Sequence, residues 1–344
     1  MSCVIQVVPE ICPDLGGVAA YAERLKTGLA VRGYESFFLA PFRQGRLGRA
    51  DLAEFKPSTR EFKDTVLASL ASKSATNVLL HYVGYGFHPR GCPEWLVEGL
   101  EELKPLFTLT TIFHEIHLTG PPWTTRFWLV PKQKNLIGRL SRIADSRLVS
   151  SPAALDGLRS IKAKCAFRVV ATPSCFGEPL RESWPATRGP QAAVLGLPPV
   201  RSRVYGPGLR SVEAFCRRAG VQVIHDVGTP IKAVPASLGG ASLERHGILS
   251  SKAISALLLR CRVLITSYPA AAAAKSTLIA AGMAHGCAVY NCAESSSSND
   301  GWSEWRSAGW DGKDWVAAGD AGYTLYHRVR SWNVAVEKVA ACLR

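Results

Sequence analysis

Short apolar runs and amphipathic stretches alternate along this chain, separated by polar loops. Residues 3–8 (CVIQVV) form a brief β-branched run and predict a buried strand. Over 18–32, Val18, Tyr21, Ala22, Leu25, Leu29 and Ala30 share one helical face, and Gly33 ends the pattern. Residues 35–40 (ESFFLA) predict the next strand. A polar stretch at 43–56 reads as a loop with a short helix. Helix 62–72, strand 77–83, a glycine- and aromatic-rich loop at 84–91, helix 93–103 and strand 107–113 follow. A long basic helix at 124–143, with Pro131 as a candidate break, leads to strand 147–151, helix 152–161 and strand 167–171.

Composition changes at 176–191, which is rich in proline, glycine and charge. The alternation then restarts. Strand 192–196, a loop at 198–203, helix 209–219 and strand 221–224 precede a loop or poorly formed helix at 236–243. Helix 251–260, strand 263–268, helix 278–285 and strand 287–290 come next, and 314–318 and 332–343 read as terminal helices. Strands alternating with helices predict an α/β protein with parallel sheets. Two such halves predict two Rossmann-like doubly wound domains facing across a cleft. They are placed at 1–177 and 192–328, with a linker at 178–191 and a closing helix at 329–344 that packs back on the first domain.

The length of 344 residues supports the two-domain division, and 47% hydrophobic with 20% charged residues is a globular composition. The ten cysteines are scattered singly with no Cys-x-x-Cys, which argues for reduced thiols and against a disulfide scaffold or zinc site. The first residues, MSCVIQVVPEICPD, carry no basic region, so no signal peptide is expected, and the quiet stretch around 269–284 is interrupted by Lys275. A cytoplasmic protein is the expectation. The formal charge of +14 asks for an anionic partner. Between Arg126 and Arg168 ten Lys/Arg face two acids, a local +8. Base-reading and single-strand signatures are absent, so nucleic acid is not expected. An anionic membrane surface, met peripherally through this stretch and the edge formed by Trp123, Phe127, Trp128 and Leu129, weighs equally with a merely solvated basic face.

Three groups favour negative charge. Gly16 and Gly17 open the first helix, where backbone N–H groups approach a ligand. Arg201 and Arg203 sit in the loop after the first strand of the second half. Lys275, Ser276 and Thr277 stand at a helix entrance, with two good N-cap residues and a full charge. Each has an ordinary reading too: a tight turn, a solvated arginine, a capped helix. Together they predict a clamp for a pyrophosphate, which suits transfer from a nucleotide-activated donor. The G-x-G-x-x-G pattern is missing, so NAD is not indicated, and no Asp-x-Asp is present to hold a metal. No cofactor is expected beyond the activated co-substrate. His114, where a strand hands over to a loop, reads as a satisfied core histidine, a general acid or base, or a donor to substrate. The segment His114-Glu115-Ile116-His117 lacks helical zinc spacing.

Three stretches resemble retaining glycosyltransferases of the two-Rossmann GT-B type, family 4. They are PEICPDLGGVAAYAERLKTGLAVRGYES (9–36), HYVGYGFHPRGCPEWL (81–96) with TIFHE (111–115), and the C-terminal segment 254–289. The resemblance covers both halves and implies metal-independent sugar transfer from a nucleoside-diphosphate sugar to a carbohydrate or lipid-linked acceptor. It implies that Gly16 and Gly17 face donor phosphate and acceptor, that His114 lies near the transferred sugar, and that Lys275-Ser276 reaches donor phosphate. The family's Gly-Arg is Gly196-Leu197 here, with Arg201 or Arg203 as stand-in cations. Its acidic pair falls on Ala273 and Ala281. Those missing carboxylates leave a second expectation: a catalytically weakened, transferase-like binding or partner protein that senses a nucleotide or glycan.

Overall fold

The computed structural model of the chain describes residues 2–11, 17–42, 48–116, 121–159, 165–232, 234–273, 275–293 and 314–343. Two compact units result: unit 1 is Met1–Val170 with Ala335–Arg344, and unit 2 is Ala171–Val334.

Unit 1 carries seven strands: β1 (Ser2–Val7), β2 (Tyr34–Pro41), β3 (Leu52–Phe55), β4 (Asn77–Tyr82), β5 (Thr108–Phe113), β6 (Ser146–Val149) and β7 (Arg168–Val169). They form an all-parallel sheet in the order β3-β2-β1-β4-β5-β6-β7. Its helices are α1 (Gly17–Val31), α2 (Thr59–Lys73), α3 (Gly84–Phe87), α4 (Glu94–Leu103), α5 (Thr125–Ile143) and α6 (Pro152–Arg159). Helices on both faces explain why β1, β4 and β5 read as continuous apolar runs. Ser58 starts α2 by accepting from the Glu61 amide at 3.3 Å, and Ser74 ends it in the left-handed conformation.

Three expectations change here. Part of 43–56 is the edge strand β3, paired to β2 from Phe38↔Leu52; four residues are too few to show a period. The loop at 84–91 begins with the single turn α3. Helix α5 runs unbroken through Pro131, which is exposed, so water can satisfy the carbonyl that the ring leaves unpaired.

Unit 2 carries β8 (Gln191–Leu195), β9 (Val223–Val227), β10 (Ser237–Leu238), β11 (Ala241–Gly247), β12 (Val263–Thr266) and β13 (Ala288–Asn291), in the order β10-β11-β9-β8-β12-β13. All pairs are parallel except β10 with β11. The helices are α7 (Pro198–Tyr205), α8 (Leu209–Ala219), α9 (Ser251–Arg260), α10 (Ala270–Ala273), α11 (Thr277–Ala284) and α12 (Trp315–Val329); α13 (Trp332–Ala340) begins in unit 2 and passes into unit 1 at Ala335. The expected loop at 198–203 is α7, entered through two prolines whose fixed φ suits a first helical turn. The expected loop or weak helix at 236–243 is strand: β10 and the start of β11, a strand too polar to show an apolar pattern. The proposed linker at 178–191 is part of unit 2. Arg188 is buried and donates to the carbonyls of Cys261 (3.0 Å) and His285 (2.6 Å).

The chain ends in unit 1. A Cβ on Gly28 of α1 would fall 2.3 Å from Cγ2 of Val336, so the helices approach closely only with glycine there. Tyr34 donates to the Leu343 carbonyl at 3.2 Å, Thr110 to Cys342 at 3.1 Å and Lys338 to Val169 at 3.0 Å.

Candidate functional site

In unit 2 the chain moves from β8 outward to β9 and β11, then crosses to β12 on the other side of β8. The carboxyl ends of β8 and β12 therefore flank a topological switch point, where open α/β sheets leave a crevice for ligands. Gly196 follows β8 at φ +124°, and a Cβ on it would sit 2.6 Å from Cδ1 of Leu278 at the start of α11. Gly228 follows β9 at φ +140°, where a Cβ would lie 2.5 Å from the Gly196 carbonyl oxygen. Side chains are excluded at both places, so bare backbone lines this rim.

Across the crevice, Asn291 fixes the turn after β12. Its Oδ1 accepts from the Tyr268 amide at 2.8 Å and its Nδ2 donates to the Tyr268 carbonyl at 2.7 Å. Ser276 is the N-cap of α11, its Oγ accepting from the Ile279 amide at 3.2 Å. Lys275 and Thr277 flank it, both half-buried. Burial pushes the Tyr268 hydroxyl above its ordinary pKa, while a hydrogen bond with Ser276 and the charge of Arg203 oppose this. Arg203 itself is exposed on α7. Thus Ser276, Tyr268 and Arg203 meet near the entrance of α11, where Lys275 and Thr277 are the chain neighbours of Ser276. Beneath it lies Arg330, buried, donating to the carbonyls of Ser276 and Thr172, each at 2.8 Å. Burial lowers its pKa to about 10, so it stays charged at neutral pH.

Arg201 is the correction among the expected site residues. It is 1% exposed, paired with Asp226 through Nε (2.9 Å) and Nη2, and its Nη1 donates to the Thr229 carbonyl at 2.5 Å. Tyr205 donates to the same carboxylate at 2.7 Å. Three of its five N–H donors are thus committed inside the fold, so Arg201 acts first as a structural ion pair rather than as a freely solvated cation. Ala273 and Ala281 are buried in apolar clusters, so methyl groups stand where the resemblance would place carboxylates.

Unit 1 has its own switch point, between the carboxyl ends of β1 and β4. A polar chain crosses the sheet there. Gln6 of β1 donates from Nε2 to the Ser36 hydroxyl at 2.8 Å, and its Oε1 lies 2.9 Å from Nε2 of His81 on β4. Nδ1 of His81 lies 3.1 Å from Nε2 of His114, just beyond β5. Because the Gln6 oxygen can only accept, His81 carries its proton on Nε2 and presents a lone pair at Nδ1. His114 must then donate from Nε2, which makes Nδ1 the basic nitrogen of that ring. Burial, with the His114 charge adding, holds the His81 pKa well below its ordinary value and keeps it neutral. Tyr21 of α1 packs edge-on against His114, ring centroids 5.1 Å apart. Gly17 begins α1, and a Cβ on it would meet nothing within 4 Å; Gly16 lies outside the described residues. At the start of α5, Trp123 (84% exposed) and Trp128 (72%) face outward near Arg126 and Lys132, while Leu136, Ile137 and Leu140 pack inward.

No family model matches this sequence. No curated protein matches it either. Solved structures do match over nearly its whole length. TarM shares 8% identity, covering 99% of this chain and 98% of its own, with a TM-score of 0.62. An alpha-glucosyltransferase in complex with UDP-glucose and DNA containing an abasic site shares 9%, covering 100% and 99%, with a TM-score of 0.60. An alpha-glucosyltransferase with UDP and a 13-mer DNA containing an HMU base shares 9%, covering 99% and 98%, with a TM-score of 0.58. The fold is GT-B. At such low identity the likeness carries the GT-B architecture and not the chemistry.

It also corrects one expectation. Nucleic acid was set aside because base-reading motifs are absent, yet GT-B structures similar to this one hold DNA. A shape-and-phosphate interface leaves no such motif in a sequence, so that argument does not exclude nucleic acid. Among the described residues, no helix is long and apolar enough to cross a membrane.

Sequence reasoning missed His81, Gln6, Tyr268, Asn291 and Arg330. Two of them carried a signal: His81 and Gln6 interrupt apolar strands, a position that a polar side chain keeps only with partners.

Proposed function

We propose that this GT-B protein is a glycosyltransferase whose unit 2 binds the diphosphate of a nucleotide sugar at the α11 entrance. The observation that carries this is the corner at the unit 2 switch point: a capped helix N-terminus, Lys275 beside it, Arg203 opposite and glycine backbone on the far rim. Charge develops on the leaving diphosphate as the glycosidic bond to it breaks, and fixed dipoles and cations stabilise that charge without a metal ion. The GT-B structures determined with UDP or UDP-glucose support this use of the fold. We assign His114 as the catalytic group, with Gln6 and His81 positioning it, and retention of anomeric configuration as the stereochemical outcome; the resemblance of 81–96 with 111–115 supports the first, and that resemblance together with 9–36 and 254–289 supports the second.

The proposed acceptor is anionic. The +14 charge supports this. Exposed Trp123 and Trp128 beside basic residues suit a lipid-linked acceptor at a peripheral membrane surface, and the similar structures holding DNA suit a polynucleotide. A nucleotide-sugar panel run against duplex DNA and against anionic vesicles carrying a lipid-linked glycan decides between them. Transfer to one class, with the product's anomeric configuration read by NMR, supports the proposal; nucleotide binding without transfer or hydrolysis favours the second reading. That reading is a nucleotide or glycan sensor, and the buried methyls of Ala273 and Ala281 are the observation in its favour.

A further inference from the structure

Away from the unit 2 switch point, three metal-ligating side chains converge on the outer part of the sheet. His225 is on β9, and Glu244 and His246 alternate on one face of β11. The parallel register sets Glu244 opposite His225. Nδ1 of His225 lies 3.0 Å from Nε2 of His246 and 3.2 Å from Oε2 of Glu244, and the His246 nitrogen lies 3.8 Å from that oxygen. Ligands about 2.1 Å from a tetrahedral zinc ion stand about 3.4 Å apart, so these spacings match one face of such a site.

The hydrogen-bond polarity points the same way. Nε2 of His225 lies 3.1 Å from Oε1 of Gln191, an acceptor, so its proton is there. That leaves the Nδ1 lone pair between two groups: His246 Nε2 can donate to it, as His114 donates to His81, but the Glu244 carboxylate oxygen then still stands 3.2 Å from the same nitrogen, two acceptors in contact. A cation between them resolves the conflict. Gln191 plays the part usual for an outer partner of a ligating histidine, fixing tautomer and ring orientation. Glu244 is exposed and His246 half-buried, so an ion can enter from solvent.

We propose that His225, Glu244 and His246 form a binding site for a zinc-class divalent cation, with a fourth position open to water. The site clasps β11 to β9 and is separate from the nucleotide corner, so it leaves the metal-independent chemistry above unchanged.

The test uses the untagged full-length chain, stripped with chelator and titrated with zinc(II) alone by calorimetry. The expected result is saturable one-to-one binding, weakened about tenfold or more in His246→Ala and in Glu244→Gln, which keep the buried His225 in place. Cobalt(II) substitution separates this site from cysteine: tetrahedral d–d absorption without thiolate charge transfer is expected. Equal zinc affinity in wild type and both variants, or a thiolate spectrum, overturns the assignment.

Discussion

His114 donates its Nε2 proton to Nδ1 of His81 across 3.1 Å, the two rings stacked 11° from parallel. The polarity is imposed two residues away, by a Gln6 oxygen that can only accept and a Gln6 nitrogen committed to Ser36. A buried neutral histidine thus sets which nitrogen of a half-buried one is basic. This is a positioning device, and it separates from structural support by kinetics. His81→Leu is expected to lower kcat about tenfold or more with KM little changed and to shift the acidic limb of the pH–rate profile. His114→Ala is expected to lower kcat about a hundredfold. Steady-state kinetics with the nucleotide sugar that the panel identifies checks both. Equal loss of kcat and stability with an unmoved pH profile would reduce His81 to packing.

Arg201 and Asp226 are expected to govern stability before ligand affinity. Asp226→Asn leaves a buried guanidinium without its counter-ion, which costs about 3–5 kcal/mol. Denaturant unfolding measures it. Arg203→Ala, on the exposed side of the same helix, is expected to leave stability within about 0.5 kcal/mol while weakening nucleotide binding.

Acid is expected to destabilise the fold through buried histidines. His285 is enclosed, hydrogen-bonded to Ser255 at 2.7 Å and to the Ala281 carbonyl at 2.7 Å, and burial holds its pKa down to about 4. Unfolding returns it toward 6.5, so the unfolded state binds more protons between these values and stability falls as pH drops from about 6.5 to 4. His81 acts in the same direction. His285→Gln is expected to flatten the loss over that window, read as the unfolding midpoint against pH.

Much of the fold was legible because its strands are buried on both faces. CVIQVV, NVLLHYV, FTLTTIF and RVLITSY each announce themselves as apolar runs. Strand β11 did not, since ASLERHG sits half exposed near the sheet edge and carries two of the three polar side chains of the triad. The helix entrance at Ser276 was legible because capping is local chemistry. The ion pair of Arg201 was not legible because sequence shows a charge but not its partner: Arg201 is on α7, and Asp226 lies 25 positions away on β9. His81 escaped for the same reason, since its partners Gln6 and His114 come from two other strands' ends.

Gly196→Val is expected to interfere with the nucleotide corner from the opposite rim. Its φ of +124° strains any side chain, and the added atoms meet Leu278. Reduced affinity with a destabilisation of about 1–3 kcal/mol is the expected outcome, measured by thermal shift with and without nucleotide.

Calorimetric titration of nucleoside diphosphates into the wild-type chain and Lys275→Ala tests the central claim most directly. One diphosphate is expected to bind wild type one-to-one without added metal, and Lys275→Ala to weaken it about tenfold, equivalent to about 1.4 kcal/mol. No diphosphate binding, or unchanged affinity in Lys275→Ala, would contradict it.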